Sequence, residues 1–191
     1  MTCNSVDWAE LLPEFARHID QASERAKTLS FDDSKLQISF NPNKLQDDVY
    51  RTNLISRARE WREGKDRSTI YVFSYSELVP QKLINTLRNC TDESLKIIGQ
   101  ARAFPKCNDH VEGHCLYVGH SHKIEARFKD HLGFGAARTS SLHLNHWEGH
   151  PHDEIIFTAR RLSSPDKLLA QLLEEFLCDE LRPLLGKRSG K

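Results

Sequence analysis

Between residues 69 and 186, short segments of β-branched and aromatic residues alternate with segments whose apolar residues recur at helical spacing. Strands are predicted over 70–73, 115–119 and 154–161. A helix is predicted to begin near Ser121 and to end at Gly133, because a glycine after the last apolar position commonly terminates a helix. This alternation indicates an α+β domain with three strands and flanking helices.

The last predicted helix has the longest apolar stripe of this region. Ser163 with Asp166 three residues later is typical of a helix start, and Pro183 marks the end. The stripe consists of Leu168, Leu169, Leu172, Leu173, Phe176 and Leu177. Because these residues recur at helical spacing, we expect all of them to pack on the sheet.

The first 66 residues are predicted to form a mostly helical extension. Helices are predicted over 6–29 and 47–63, with Pro13 as a boundary inside the first. A short alternation of apolar residues over 36–40 is compatible with a strand. The main domain is then expected over 67–191.

Charge and hydropathy exclude several classes of protein. Lys and Arg number 27 and Asp and Glu number 27, so attraction to a polyanion has to come from clustered charge. No apolar run approaches the roughly 20 residues that a membrane span requires. The start of the chain lacks a basic segment followed by an apolar one, so no secretory signal is expected and the cytoplasm is the predicted location.

Cysteine and histidine clusters leave a zinc site open as an alternative. Five cysteines, an odd number without a CxxC pair, make a disulfide framework improbable and reduced thiols the expectation. Four potential ligands nevertheless lie within nine residues: Cys107, His110, His114 and Cys115. A second cluster contains His143, His146, His150 and His152. Solvated or backbone-bonded histidines are the more common outcome for such clusters.

Five residues suited to phosphodiester chemistry stand at ordered spacings in the main domain. They are Tyr71 in the segment Thr69-Ile70-Tyr71, Tyr117 in the segment Tyr117-Val118-Gly119, Arg127, His131 and Glu174. Arg127 and His131 are four residues apart on one predicted helix, so their side chains emerge on one face and can converge on a single anion.

In the order and spacing of these residues the chain resembles the GIY-YIG endonucleases. The two tyrosine segments correspond to the motifs that name the family, and Glu174 stands nine residues before Pro183 in a segment similar to the family's metal-binding helix. The resemblance covers residues 69 to 186. It implies a small three-stranded antiparallel sheet flanked by helices, and metal-dependent hydrolysis of DNA.

The resemblance also implies a role for each residue. Arg127 would bind the scissile phosphate, because a guanidinium donates two parallel hydrogen bonds. Glu174 would hold one Mg²⁺ or Mn²⁺, with Glu175 as the alternative ligand. Tyr71 would be the general base, helped by the metal-bound water, His131 or another positive group that lowers its pKa. Tyr117 would orient the water or the phosphate. The two tyrosine roles are interchangeable at this point.

Four features depart from the family pattern. Thr69 replaces a glycine of the first motif. His120, the sixth candidate site residue, replaces a lysine that commonly follows the second motif, so a permanent cation becomes one that titrates near neutrality. Gly186 stands where an asparagine is common. The long interval between the two tyrosines predicts an insertion over 76–112.

The leading hypothesis is therefore a metal-dependent DNA endonuclease, similar to the restriction-type branch of the family. By analogy, cutting both strands of a palindrome would require a symmetric homodimer. A non-catalytic nucleic-acid-binding or partner-binding module of the same fold is the alternative, since the departures at Thr69, His120 and Gly186 could reflect lost cleavage. A zinc-structured interaction protein is the third hypothesis.

Overall fold

A computed structural model describes residues 8–62, 67–79, 105, 107–108, 113–136, 139–147, 150 and 153–186. Its strands are β1 (Phe31–Phe40), β2 (Thr69–Val79), β3 (Gly113–Ser121) and β4 (Ile155–Leu162). Its α-helices are α1 (Trp8–Lys27), α2 (Asp48–Arg62), α3 (Ile124–Leu132) and α4 (Lys167–Leu181). Within the described part of the chain, no helix combines the length and the apolar character needed to cross a membrane.

The strands form one antiparallel sheet in the order β1-β4-β2-β3. The α+β class and the antiparallel sheet flanked by helices are confirmed, but the predicted number of three strands is wrong. The additional strand is β1, in which Leu36, Ile38 and Phe40 alternate inward and lie opposite Ala159, Phe157 and Ile155 of β4. The first five residues of β1 are largely polar, so the sequence shows only the second half of the strand.

The two N-terminal helices are confirmed. Helix α1 continues through Pro13, so the boundary predicted there is wrong. The proline lies near the start of the helix, where it removes at most one backbone hydrogen bond. The insertion predicted over 76–112 begins inside β2, which extends to Val79, and most of it lies outside the described residues.

The main core lies on the face of the sheet that packs against α2 and α3. Phe73, Phe128 and Phe157 form its centre, with ring centroids 4.4 to 6.1 Å apart. Helix α4 packs against a smaller cluster on the sheet, which contains Ile70 and Leu162. The core therefore fixes α3 over the centre of the sheet and leaves α4 near strands β2 and β3.

Only part of the α4 stripe packs on the sheet. Leu169 is buried and Leu173 and Leu177 are partly buried, whereas Leu172 is 44% exposed and Phe176 is 58% exposed. The expectation for the whole stripe is therefore wrong, because one line of residues meets the sheet and the adjacent line faces away from it. The start of the helix also differs, since Asp166 and not Ser163 is the N-cap and accepts a hydrogen bond from the Leu169 amide.

Arg161 joins the end of β4 to two neighbouring elements. Its Nε lies 2.6 Å from Asp32 Oδ2 of β1, and its guanidinium lies 4.6 Å from the ring centre of Trp61 in α2. The side chain is 7% exposed. A buried guanidinium with these contacts holds β1 and α2 in a fixed position against the sheet.

We predict that Arg161→Met lowers the free energy of unfolding by about 2 kcal/mol, because Asp32 loses its buried partner. Chemical denaturation of the full chain measures this change. Arg160→Met is the matched control, since the neighbouring Arg160 is only partly buried and contacts the Phe31 ring and the Asp32 carbonyl. Equal losses in the two variants would contradict the role assigned to Arg161.

Candidate active site

Strand register places the two tyrosines side by side. Tyr71 of β2 lies opposite Gly119 of β3 on one side and Ala159 of β4 on the other. The rings of Tyr71 and Tyr117 are stacked, with centroids 6.2 Å apart. Tyr71 is 1% exposed, whereas Tyr117 on the edge strand is only partly buried.

Gly119 is the residue that leaves room for the Tyr71 hydroxyl. A Cβ at position 119 would lie 2.4 Å from Tyr71 Oη and 2.9 Å from a ring carbon of Tyr117. Real Cβ contacts are essentially never this short. Any side chain at this position would therefore displace both tyrosines.

Helix α3 brings Arg127 and His131 to the same point. The helix ends at Gly133 as predicted, with a left-handed φ of 99° that suits glycine. The predicted cap at its start is wrong, because Lys123 is the N-cap and Ser121 accepts a hydrogen bond from the Lys123 amide instead. The spacing of four residues directs both side chains toward β2 and β3.

The hydroxyl of Tyr71 is the meeting point of this cluster. Arg127 Nε donates to Tyr71 Oη at 3.0 Å, and His131 Nε2 lies 2.9 Å from the same oxygen. One terminal nitrogen of Arg127, Nη2, lies 3.5 Å from Tyr117 Oη and donates to the Ser140 carbonyl at 2.6 Å. Four of the predicted site residues are therefore joined by hydrogen bonds.

Burial determines the protonation of these groups. It lowers the pKa of His131 well below the usual value, and the neighbouring Arg127 cation acts in the same direction. It raises the pKa of Tyr71 well above the usual value, with a further increase from Tyr117 and an opposing effect of Arg127. The pKa of Tyr117 is also raised, mainly by burial. Both tyrosines are thus neutral phenols near pH 7, a state that does not favour the base role predicted for Tyr71.

Glu174 and His120 form a second pair beside the tyrosines. His120 Nδ1 of β3 hydrogen bonds to Glu174 Oε2 of α4, and this bond raises the pKa of His120. The negative charge of Glu174 contributes to the raised pKa values of Tyr71 and Tyr117, which puts the carboxylate within electrostatic range of both hydroxyls. Four predicted site residues thus meet around the Tyr71 hydroxyl, and His120 and Glu174 form a separate hydrogen-bonded pair between β3 and α4.

Glu175, the alternative metal ligand, points elsewhere. Its side chain is exposed and accepts a hydrogen bond from Gln171 on the outer surface of α4. Glu174 is three-quarters buried, with a side-chain exposure of 25%. The orientation of α4 thus favours Glu174 over Glu175 as a functional carboxylate.

The donor set at Glu174 fits a hard divalent cation. In the described part of the chain, no three His, Cys, Asp or Glu residues are grouped closely enough to form a metal cage. Mg²⁺ does not need such a cage, because it retains several waters and accepts one carboxylate together with phosphate oxygens. Glu174 supplies that carboxylate.

The two zinc clusters considered from the sequence have other contacts. His143, His146 and His150 hydrogen bond to the backbone carbonyls of Thr139, Gly133 and Leu144. His110 and His152 lie outside the described residues. The described cysteines Cys107, Cys115 and Cys178 are free thiols.

Two of the departures from the family pattern have local explanations. Gly186 has a φ of 125°, a conformation that L side chains rarely adopt, and a Cβ there would lie 3.4 Å from the Tyr117 ring. Thr69 is buried at the start of β2, where its hydroxyl donates to the Arg67 carbonyl. Glycine at 186 therefore suits the backbone against which Tyr117 packs.

Two backbone groups complete the site and were missed by the sequence analysis. The Ser140 carbonyl accepts from Arg127, and the Leu142 amide donates to His131 Nδ1 at 3.1 Å. Both belong to the segment 139–142, which follows α3. Backbone groups carry no residue identity, so no pattern in the sequence indicates them.

Comparisons with known proteins add no relative: no family model, no curated protein and no solved structure matches this chain.

We predict that Gly119→Ala lowers the free energy of unfolding by about 2 kcal/mol, because the added methyl group overlaps Tyr71 Oη. Gly113→Ala on the same strand is the matched control. A Cβ there meets its nearest atom, on Leu184, at an ordinary 3.6 Å. Thermal and chemical denaturation of both variants measure the difference. A loss no greater than that of the control would contradict the close contact assigned to Gly119.

Proposed function

We propose that this chain is a metal-dependent endonuclease of the GIY-YIG type that hydrolyses phosphodiester bonds of DNA. The observation that supports it most directly is the convergence of Arg127 and His131 on the Tyr71 hydroxyl. Arg127 also donates to the Tyr117 hydroxyl, and the charge of Glu174 acts on both phenols. Two phenols, one guanidinium, one imidazole and one carboxylate are the groups that the resemblance requires, and they come from β2, β3, α3 and α4. The proposal includes a cytoplasmic location, which suits the free thiols.

Arg127 is the group that we assign to the scissile phosphate. Its Nε and Nη2 are engaged by Tyr71, Tyr117 and Ser140, which fixes the plane of the guanidinium. Among the described residues, Nη1 has no hydrogen-bond partner. A guanidinium that is fixed in this way, with Nη1 still able to donate, is prearranged to stabilise the charge that grows on the phosphoryl oxygens.

Glu174 is the group that we assign to Mg²⁺ or Mn²⁺. The cation supplies positive charge next to the phosphate and the leaving oxygen. His120 hydrogen bonds to Oε2 of Glu174, and Oε1 has no hydrogen-bond partner among the described residues. His120 also orients the carboxylate through this bond.

We expect purified protein to nick supercoiled plasmid DNA in the presence of Mg²⁺ and to lose this activity on addition of EDTA. Arg127→Ala and Glu174→Gln should each lower the nicking rate by about 10²-fold or more, because each removes a charge that stabilises the transition state. Gel electrophoresis of the nicked plasmid over time measures the rates.

Matched controls for both variants exist on the same helices. Lys129→Ala removes an exposed cation of α3, and Glu175→Gln neutralises an exposed carboxylate of α4. Both controls should nick at close to the wild-type rate. Equal nicking by all variants would refute the proposal. Retention of DNA in a gel without cleavage would instead favour the non-catalytic binding module, and analytical ultracentrifugation with and without DNA tests the homodimer.

A further inference from the structure

The hydrogen bond at Nδ1 of His131 fixes how this histidine is protonated. The Leu142 amide donates to Nδ1, so Nδ1 has to keep its lone pair and cannot carry a proton. A neutral imidazole then carries its single proton on Nε2. The Nε2–H group is directed at Tyr71 Oη, 2.9 Å away.

A doubly protonated His131 does not fit the same surroundings. A proton on Nδ1 would face the proton of the Leu142 amide, and the imidazolium would be fully buried next to the Arg127 cation. The other charged or titratable groups near the ring are Tyr71, Tyr117 and His143. No carboxylate contacts His131 among the described residues.

Tyr71 Oη consequently accepts two hydrogen bonds. One comes from Nε2–H of His131 and the other from Nε–H of Arg127. A phenol oxygen has one proton and two acceptor positions. Both acceptor positions are therefore filled, and the O–H proton points in the remaining direction without an acceptor among the described residues.

A buried hydroxyl proton without an acceptor is unfavourable by roughly 1 to 3 kcal/mol. No described residue accepts it. In the site proposed above, which is a premise of this step, an oxygen of the bound phosphodiester or of a water held against it is the acceptor.

We propose that His131 is a positioning residue that makes Tyr71 a hydrogen-bond donor to the phosphate and not the base that receives a proton from the attacking water. The Leu142 amide selects the Nε2–H form of His131. His131 and Arg127 together orient the Tyr71 hydroxyl, and Tyr71 donates a hydrogen bond to a phosphate oxygen as negative charge develops there.

Nitrogen-15 NMR of the full chain tests the histidine directly and needs no activity. Two-bond proton–nitrogen spectra should show His131 protonated on Nε2 alone. This protonation state should not change when the pH is varied from one unit below to one unit above the ordinary histidine pKa of about 6.5. Tyrosine labelled with carbon-13 at Cζ should show Tyr71 as a phenol up to about pH 9, below the ordinary tyrosine pKa of about 10. A proton on Nδ1, or a phenolate at Tyr71, would overturn the inference.

Cleavage rates test how His131 acts. Tyr71→Phe should lower the cleavage rate by about 10²-fold, and by the same factor at each pH between about 6 and about 9. The factor is constant because a hydrogen-bond donor stays protonated throughout this pH range, so its removal does not change the pH dependence of the rate. A factor that grows with pH would indicate a base and overturn the inference.

His131→Gln, whose amide N–H can replace Nε2–H, should retain most of the cleavage rate, whereas His131→Phe should lose it. Equal loss in both variants would count against positioning.

A double variant separates positioning from an independent role. If His131 acts through Tyr71, Tyr71→Phe combined with His131→Phe should cleave no more slowly than Tyr71→Phe alone. Additive losses would contradict this coupling. A chain that cuts no DNA but shows the expected NMR spectra would refute the proposed function and leave the assignment of His131 and Tyr71 in place.

Discussion

The site depends on one buried contact, in which the hydroxyl of Tyr71 fits under the backbone of Gly119 and receives N–H groups from α3. The register between β2 and β3 creates this contact, because it places a residue without a side chain opposite the tyrosine. Arg127 then donates hydrogen bonds to both tyrosine hydroxyls and to the Ser140 carbonyl. A guanidinium held in this way needs little further ordering when it meets an anion.

Burial gives this arrangement its chemical character. In water a phenol and an imidazole exchange protons readily, but at this site burial raises the pKa of Tyr71 and lowers that of His131, so both stay neutral. The charges of the site are thereby confined to Arg127 and to the pair of Glu174 and His120. The neutral groups set directions for hydrogen bonds, while the charged groups supply the electrostatic field of the site.

The sequence predicted the elements whose physical signal is local. Gly133 ends α3 because a residue in the left-handed conformation is needed there. The strands β2, β3 and β4 are recognisable in the sequence as short apolar segments. The spacing of Arg127 and His131 sufficed to place them on one helix face. What the sequence did not reveal depends on the assembled fold: the polar half of β1, the exposure of Leu172 and Phe176, and the bond between His120 and Glu174. Each of these is decided by which neighbour a residue meets, and that neighbour is distant along the chain.

The role of Tyr71 also depends on its surroundings in the fold and not only on its residue type. From the sequence, a tyrosine near an arginine and a histidine was a reasonable base, because nearby cations lower the pKa of a phenol. The folded site contains the arginine as expected, but the Leu142 amide keeps the histidine neutral and the sheet buries the phenol. A single backbone N–H group thus changes the preferred role of Tyr71 from proton acceptor to hydrogen-bond donor. The side-chain types in the sequence do not indicate this group. In the proposed reaction, the water that attacks the phosphate would then have to lose its proton to a group other than Tyr71.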